Sequence, residues 1–197
     1  VADFETRSFK DVTEVGAWRY AEDPTTEILC LSYRFVGVSS TELWVPGLPF
    51  PQKITDHILA GGPVEAHGAQ FEQAIWYHLL HLKLGIPMPK RWKDTMAMCA
   101  YRGLPLSLDK VGDALNLPIK KDPRGKYLIQ TLCQPKGATK SEPNRVYRED
   151  IDLMEELYGY CIQDTDTETG LSDVVGDLPK PEHRIWILDQ IINRRGV

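Results

Sequence analysis

The sequence lacks any long hydrophobic run, because its longest apolar stretches fall well short of the roughly 20 residues that span a bilayer. It also begins without a basic flank followed by an apolar stretch and a cleavage site. Internal repeats and low-complexity tracts are absent too. We therefore expect a soluble protein of the cytoplasm.

Paired cysteine motifs are missing as well. The four cysteines contain no C-x-x-C pair, and each lies inside an apolar segment: Cys30, Cys99, Cys133 and Cys161. Buried reduced thiols are the expected state, and a zinc or redox role is the alternative.

The chain has too few residues for a second full domain. Its 197 residues, 42% hydrophobic and 26% charged, are typical of one compact domain. The net charge of -5 argues against non-specific duplex binding over the whole surface. However, residues 120–148 carry eight Lys and Arg, opposed only by Asp122 and Glu142. This stretch is either a solvated loop or a surface that faces phosphates.

Hydrophobic alternation predicts strands in the first half of the chain. The predicted strands are residues 1–6, 27–36, 41–45 and 64–67, and a hairpin turn at 37–40 joins the second to the third.

Helical periodicity and capping residues dominate the rest. The predicted helices are residues 52–59, 70–84, 95–101 after an Asp94 cap, 108–115 after a Ser107 cap, 126–132, 146–175 and an amphipathic 182–197. Residues 134–144 are rich in Pro, Gly, Lys and Ser and are the predicted mobile loop. Strands followed by strand-helix alternation and then helices favour an α/β sheet with helices on its faces.

The first of three acidic clusters is Asp3-Phe4-Glu5. In a strand, residues i and i+2 point the same way, so Asp3 and Glu5 share a face and Phe4 can enter the core. Two carboxylates at that separation can reach one or two Mg²⁺ ions. A solvated strand face is the alternative.

The second cluster follows the predicted strand at 64–67. Glu72 lies in the first turn of the next helix, where it could bind a metal or simply stabilise the helix N-terminus. His67 at the strand end is a possible ligand, with an ordinary hydrogen bond as the alternative.

The third cluster is on the long helix at 146–175. Tyr160 and Asp164 are four residues apart and project together, with Glu168 one turn further. A tyrosine hydroxyl beside a metal-binding carboxylate can hold an attacking water. An aromatic residue packed at a helix boundary is the alternative.

The order D-x-E, F-E and Y-x-x-x-D resembles the DEDD (DnaQ-like) 3′→5′ exonucleases, in the subgroup marked by tyrosine. The competing subgroup has histidine at the position of Gly159. Wider similarity to phage-type family A DNA polymerases comes from three segments: Asp3-Phe4-Glu5-Thr6-Arg7-Ser8, Tyr20-Ala21-Glu22-Asp23-Pro24 through Thr26-Glu27-Ile28-Leu29-Cys30, and Trp186-Ile187-Leu188-Asp189-Gln190 to Asn193-Arg194-Arg195-Gly196. The resemblance covers nearly the whole chain.

This resemblance implies an RNase H-like fold, with a mixed β-sheet flanked by helices and a helix-rich C-terminal half. It implies that two divalent cations, Mg²⁺ or Mn²⁺, bind to Asp3, Glu5, Glu72 and Asp164, and that Tyr160 orients the water that hydrolyses the 3′-terminal phosphodiester. Expected substrate contacts are Thr6, His67, Lys136, Lys140 and Arg145. The second motif departs from the family, which usually offers Asn and Asp where this chain has Gly68 and Glu72.

The same resemblance implies a proofreading exonuclease domain at 1–180 and a helical linker at 181–197 toward a polymerase domain. Its partners would be a single-stranded or frayed DNA 3′ end and the linked or associated polymerase domain, in the cytoplasm of a bacterium or a phage-infected host. Two alternatives remain open: a catalytically silent domain that binds single-stranded DNA or braces a polymerase, and an exoribonuclease of the same superfamily.

Overall fold

The first half of the chain builds a small antiparallel sheet. In the computed structural model, which describes residues 1–119, 122–137 and 147–196, strands β1 (Ala2–Arg7), β2 (Glu27–Tyr33) and β3 (Glu42–Trp44) pair in the order β1-β2-β3. The predicted strands at these three places are confirmed, although β2 and β3 are shorter than predicted.

Side chains of β1 alternate between the core and a second face. Phe4 is buried and packs edge-to-face on Trp76, with ring centroids 6.0 Å apart. Asp3 and Glu5 therefore point the other way, as the period of a strand requires. The register with β2 shifts between Glu5 and Thr6, an irregularity typical of a β-bulge.

Two further strands form a parallel pair. β4 (Val64–Ala66) confirms the predicted strand at 64–67 and pairs with β5 (Trp92–Asp94), which was not predicted. Within the described ranges the strands thus form two sheets, not the single mixed sheet expected. β4 also lies close to β1, so the two sheets are neighbours in a mixed α/β fold.

Helices in the first half surround these sheets. α1 (Val12–Glu22) was not predicted, whereas α2 (Gln52–Leu59) was. The predicted helix at 70–84 is confirmed in extent, but it consists of α3 (Gln70–Ile75), a π-helical stretch (Trp76–His81) and α4 (Leu82–Leu84).

Capping residues define two helices of the second half. Asp94 caps α5 (Thr95–Tyr101) as predicted, because its carboxylate accepts from Met96 N at 2.9 Å and Ala97 N at 3.3 Å. Ser107 occupies the N-cap position of α6 (Leu108–Ala114), but its side chain makes no capping hydrogen bond with the described residues.

The remaining helices differ in their bounds from the predictions. A helix at 126–132 was predicted, and α7 (Gly125–Leu128) continues there into a π-helical stretch (Ile129–Cys133). The long helix α8 (Ile151–Val175) begins later than predicted, because residues 147–150 are not helical and Asp150 caps the helix by accepting from Leu153 N at 3.2 Å. Val146 and residues 138–144 of the predicted loop lie outside the described residues.

Among the described residues, buried apolar side chains form three clusters, and α8 contributes to two of them through Leu157 and Leu171. All four cysteines are free and buried, which confirms the predicted thiol state. In the described part of the chain, no helix is both long and apolar enough to cross a membrane.

In the helix α9 (Lys180–Arg195), Trp186 packs against the apolar cluster that contains Phe4 and Trp76. Its other apolar side chains face outward, and Ile185 is 62% exposed. The predicted domain boundary at 180/181 coincides with the start of α9 and stays a prediction.

Candidate active site

Strand β1 supplies two carboxylates. Asp3 lies opposite Ser32 of β2 and Glu5 lies opposite Cys30, so both project from one face of the sheet. Glu5 is only 8% exposed. This orientation of Asp3 and Glu5 follows from the sequence, because the residue between them, Phe4, has to be buried.

Helix α3 supplies Glu72 from its first turn, where it is buried. The turn that precedes α3 is fixed by Asp94, whose carboxylate accepts from Gly68 N at 2.9 Å and from Ala69 N at 3.2 Å. Gly68 has a φ of +83°, a conformation that costs other residues energy, so glycine suits this turn. The backbone leaving β4 is thereby turned to direct Glu72 toward β1.

Helix α8 supplies Tyr160 and Asp164, both buried and one turn apart. The helix is held on the sheet by Ser32, whose hydroxyl donates to Cys161 O at 2.8 Å and also contacts the Thr165 hydroxyl. Cys161 Sγ lies 3.5 Å from Asp3 Oδ2 and 3.2 Å from Ser32 Oγ. These contacts place the third acidic cluster beside the first.

Side chains from all three elements line one cleft of about 460 Å³. The residues predicted as metal ligands and water holder all lie on its wall: Asp3, Glu5, Glu72, Tyr160 and Asp164. Thr6 lies there too, and its hydroxyl shares a 2.9 Å hydrogen bond with that of Tyr20. The wall also includes Phe9, Phe71 and Lys10. Three separate sequence signals thus meet at one place.

Burial and mutual repulsion shape the electrostatics of the cleft. Burial raises the pKa of Glu72 well above its ordinary 4.5, and the nearby Asp3 carboxylate raises it further. Burial, followed by the Asp164 carboxylate, raises the pKa of the Tyr160 phenol far above 10.0, so this hydroxyl stays protonated at neutral pH. Glu168, buried one turn beyond Asp164, has a raised pKa for the same reasons as Glu72.

The donor set fits a hard divalent cation. Potential ligand atoms of Asp3, Glu5 and Cys161 all lie within 4.8 Å of one another. Among the described residues, the buried Glu72 Oε2 has no hydrogen-bond partner. A buried carboxylate oxygen without a hydrogen-bond partner costs free energy unless a cation or a proton binds to it. Carboxylate oxygens such as those of Asp3, Glu5 and Glu72 suit Mg²⁺ or Mn²⁺, whereas a thiol such as Cys161 does not.

The other predicted substrate contacts are placed differently. His67 is not on the cleft wall, and its ring nitrogens bond Thr95 Oγ1 at 2.9 Å and Leu106 O at 2.7 Å. Lys136 is exposed, and its neighbours Pro135 and Gly137 line the cleft. Lys140 and Arg145 lie outside the described residues.

Residues that contact the predicted site residues were also missed, among them Cys161 and Gly125. Cys161 faces Asp3, and the signal available in the sequence was only its position next to Tyr160. Gly125 lies against the Tyr160 ring, although nothing in the sequence connects α7 with α8.

Comparison with known proteins finds similarity to a DNA polymerase. The alignment has 32% identity over 203 residues and covers 99% of this chain. That relative is the DNA polymerase of Bacillus phage SP02, and the chain spans 31% of its length. No family model matches the chain, and no solved structure matches it.

Proposed function

We propose that this chain is a metal-dependent 3′→5′ DNA exonuclease that serves as the proofreading domain of a DNA polymerase, with an RNase H-like fold and the site of the tyrosine subgroup. The observation that carries the proposal is the convergence of Asp3 and Glu5, Glu72, and Tyr160 with Asp164 on one cleft. These side chains come from a strand and two helices far apart in the sequence. Chance burial of separate acidic residues does not explain that convergence.

The relative supports the polymerase part of the proposal. It is named a DNA polymerase, and nearly the whole chain aligns with less than a third of its length. If this chain is a domain within a longer polymerase, it would align over nearly its whole length and still cover less than a third of such a relative. DNA is therefore the proposed substrate.

In the proposed reaction, the four carboxylates of Asp3, Glu5, Glu72 and Asp164 would hold two divalent cations. When bound, such cations lower the pKa of a coordinated water and neutralise charge on the phosphate and the leaving oxygen. Burial raises the pKa of Glu72 most and the Asp3 carboxylate raises it further, so Glu72 favours its protonated form in the metal-free protein.

Tyr160 would hold the attacking water. Its raised pKa keeps the phenol protonated, so the hydroxyl remains a hydrogen-bond donor as well as an acceptor at neutral pH. The neighbouring Asp164 carboxylate lies one helical turn away. A water held between this hydroxyl and the carboxylates would be positioned for attack on a phosphate in the cleft.

The cleft suits the end of a single strand. Its volume of about 460 Å³ lies within the roughly 300–1,000 Å³ of sites that enclose a small molecule. Phe9 and Phe71 offer apolar surface on which unpaired bases stack, and Lys10 offers a cation for phosphate. Lys136, next to wall residues, is a further proposed phosphate contact.

The test follows shortening of a 5′-labelled single-stranded DNA with Mg²⁺ or Mn²⁺. We expect nucleoside monophosphates to be released stepwise from the 3′ end. Chelation of the metal should abolish this shortening, and Asp3→Asn and Asp164→Asn should each reduce its rate at least ~100-fold. Asp173→Asn is the matched control, because Asp173 lies exposed on the same helix as Asp164 and away from the cleft.

Two results would point elsewhere. Tight binding of the strand without metal-dependent shortening would indicate a silent binding domain. Faster shortening of an RNA strand of the same sequence would indicate an exoribonuclease.

A further inference from the structure

Helix α7 lies against the ring of Tyr160. A Cβ atom added at Gly125 would be 2.0 Å from Tyr160 Cε2 and 2.5 Å from Cζ. These distances are far shorter than a van der Waals contact, so only glycine lets the backbone of α7 approach this closely. Both residues are buried.

The start of α7 is held in place on both sides of Gly125. Asp122 Oδ1 accepts from Arg124 N at 2.8 Å, and Asp122 O accepts from Gly125 N at 3.1 Å. Arg124 pairs with Glu156 of α8 at 2.9 Å, one turn before Tyr160. Leu128 packs in the same apolar cluster as Tyr160. The Gly125 backbone is thus a fixed surface against the ring.

We propose that Gly125 is a positioning residue that sets the location of the Tyr160 hydroxyl in the cleft. The proposal rests on the proposed exonuclease function, in which that hydroxyl holds the attacking water. A methyl group at position 125 forces the ring to move by roughly 1 Å or more, and a misplacement of that size costs on the order of 100-fold in rate. Gly125 itself does not line the cleft, and the cleft residue that a side chain at this position would meet is Tyr160.

The experiment is a double-mutant cycle with Gly125→Ala and Tyr160→Phe, measured as kcat and KM on a 5′-labelled single strand with Mn²⁺. Gly125→Ala should lower kcat on the order of 100-fold and leave KM and the Mn²⁺ affinity unchanged. In the Tyr160→Phe background, Gly125→Ala should change kcat by less than about twofold, because the hydroxyl is already gone. Gly170→Ala is the control, since a Cβ added at this glycine of α8 meets no atom within 4 Å.

Stability separates positioning from a general structural role. The aromatic ring at position 160 is present in the wild type and in Tyr160→Phe, so Gly125→Ala should lower the Tm equally in both. Its effect on kcat should vanish in the Tyr160→Phe background. Equal losses of kcat in both backgrounds would overturn the proposal, as would full activity of Gly125→Ala.

Two further outcomes are distinguishable. If Gly125→Ala does not fold, Arg124→Ala releases the ion pair between α7 and α8 without adding atoms. It should lower kcat only when Tyr160 is present, and an equal effect in Tyr160→Phe would refute the proposal. If the wild type shows no metal-dependent shortening, the proposed function fails and the positioning role fails with it.

Discussion

Cys161 Sγ lies 3.5 Å from Asp3 Oδ2, so the long helix α8 touches strand β1 at the first carboxylate of the cleft. The thiol is fully buried and also lies 3.2 Å from Ser32 Oγ. The position of Asp3 relative to Tyr160 and Asp164 therefore depends on a contact that the sequence pattern did not reveal.

Removing this thiol should loosen the contact between α8 and β1. Cys161→Ala deletes a buried sulfur and its hydrogen bonds, and we expect a loss of about 1 kcal/mol in the free energy of unfolding, measured in urea. Cys161→Ser keeps a donor and should retain more activity than Cys161→Ala. Identical stability of wild type and Cys161→Ala would show that the contact contributes nothing.

The buried thiols should react slowly with iodoacetamide. Burial raises the pKa of Cys99 and Cys133, which lowers the fraction of reactive thiolate at pH 8. Mass spectrometry of the native protein at that pH should find little alkylation within an hour, and all four cysteines alkylated in denaturant. Rapid native alkylation of Cys133 would contradict its burial.

Asp94 should matter more than an ordinary helix cap. Its carboxylate accepts from Gly68 N and Ala69 N in addition to capping α5, and from Trp186 Nε1 of α9 at 3.2 Å. Asp94→Ala leaves several buried donors unpaired, so it should cost about 2–4 kcal/mol in the free energy of unfolding.

The control is Asp11→Ala, which removes the exposed cap of α1, where Asp11 Oδ1 accepts from Thr13 N at 2.8 Å. It should cost only about 1 kcal/mol. Equal costs for the two substitutions would mean that the turn before α3 does not depend on Asp94.

Metal binding should strengthen as the pH rises. The pKa of Glu72 in the folded, metal-free protein is raised above 4.5, chiefly by burial and next by Asp3, so folding favours its protonated form. The contribution of Glu72 to stability is therefore greatest below pH 4.5 and is lost as the pH rises toward the folded pKa.

A cation competes with that proton, so the Kd for Mn²⁺ should fall as the pH rises above 4.5, by up to about tenfold per pH unit. Isothermal titration calorimetry measures the Kd and, in two buffers, the proton released. Glu72→Gln should bind more weakly and with a flatter dependence on pH. A Kd independent of pH in the wild type would contradict this account of Glu72.

Local signals in the sequence were sufficient to predict several elements. α5 was predicted from its Asp94 cap, and α2 was predicted with the bounds that the structure shows. β5 was missed because a three-residue strand that includes Lys93 and Asp94 carries no alternation of its own and is formed by pairing with β4. α1 was missed because Gly16 has a non-helical φ of 76°, and the resulting kink interrupts the helical periodicity.

The candidate site was predictable only in part, for a similar reason. Asp3, Glu5 and the pair on α8 follow strand and helix spacing, so their faces could be predicted from the sequence. The contacts of Gly125 with Tyr160 and of Cys161 with Asp3 join elements far apart in the chain, and they depend on how α7 and β1 pack on α8.

The central claim is that carboxylates from β1, α3 and α8 form one metal site. Its most direct test is Mn²⁺ binding, measured as the loss of the electron paramagnetic resonance signal of free Mn²⁺ in wild type, Asp3→Asn, Glu72→Gln, Asp164→Asn and the control Asp173→Asn. We expect the first three substitutions each to weaken binding at least ~10-fold and Asp173→Asn to bind as the wild type does. Wild-type affinity in Glu72→Gln and Asp164→Asn would show that the three elements do not share a metal, and would contradict the claim.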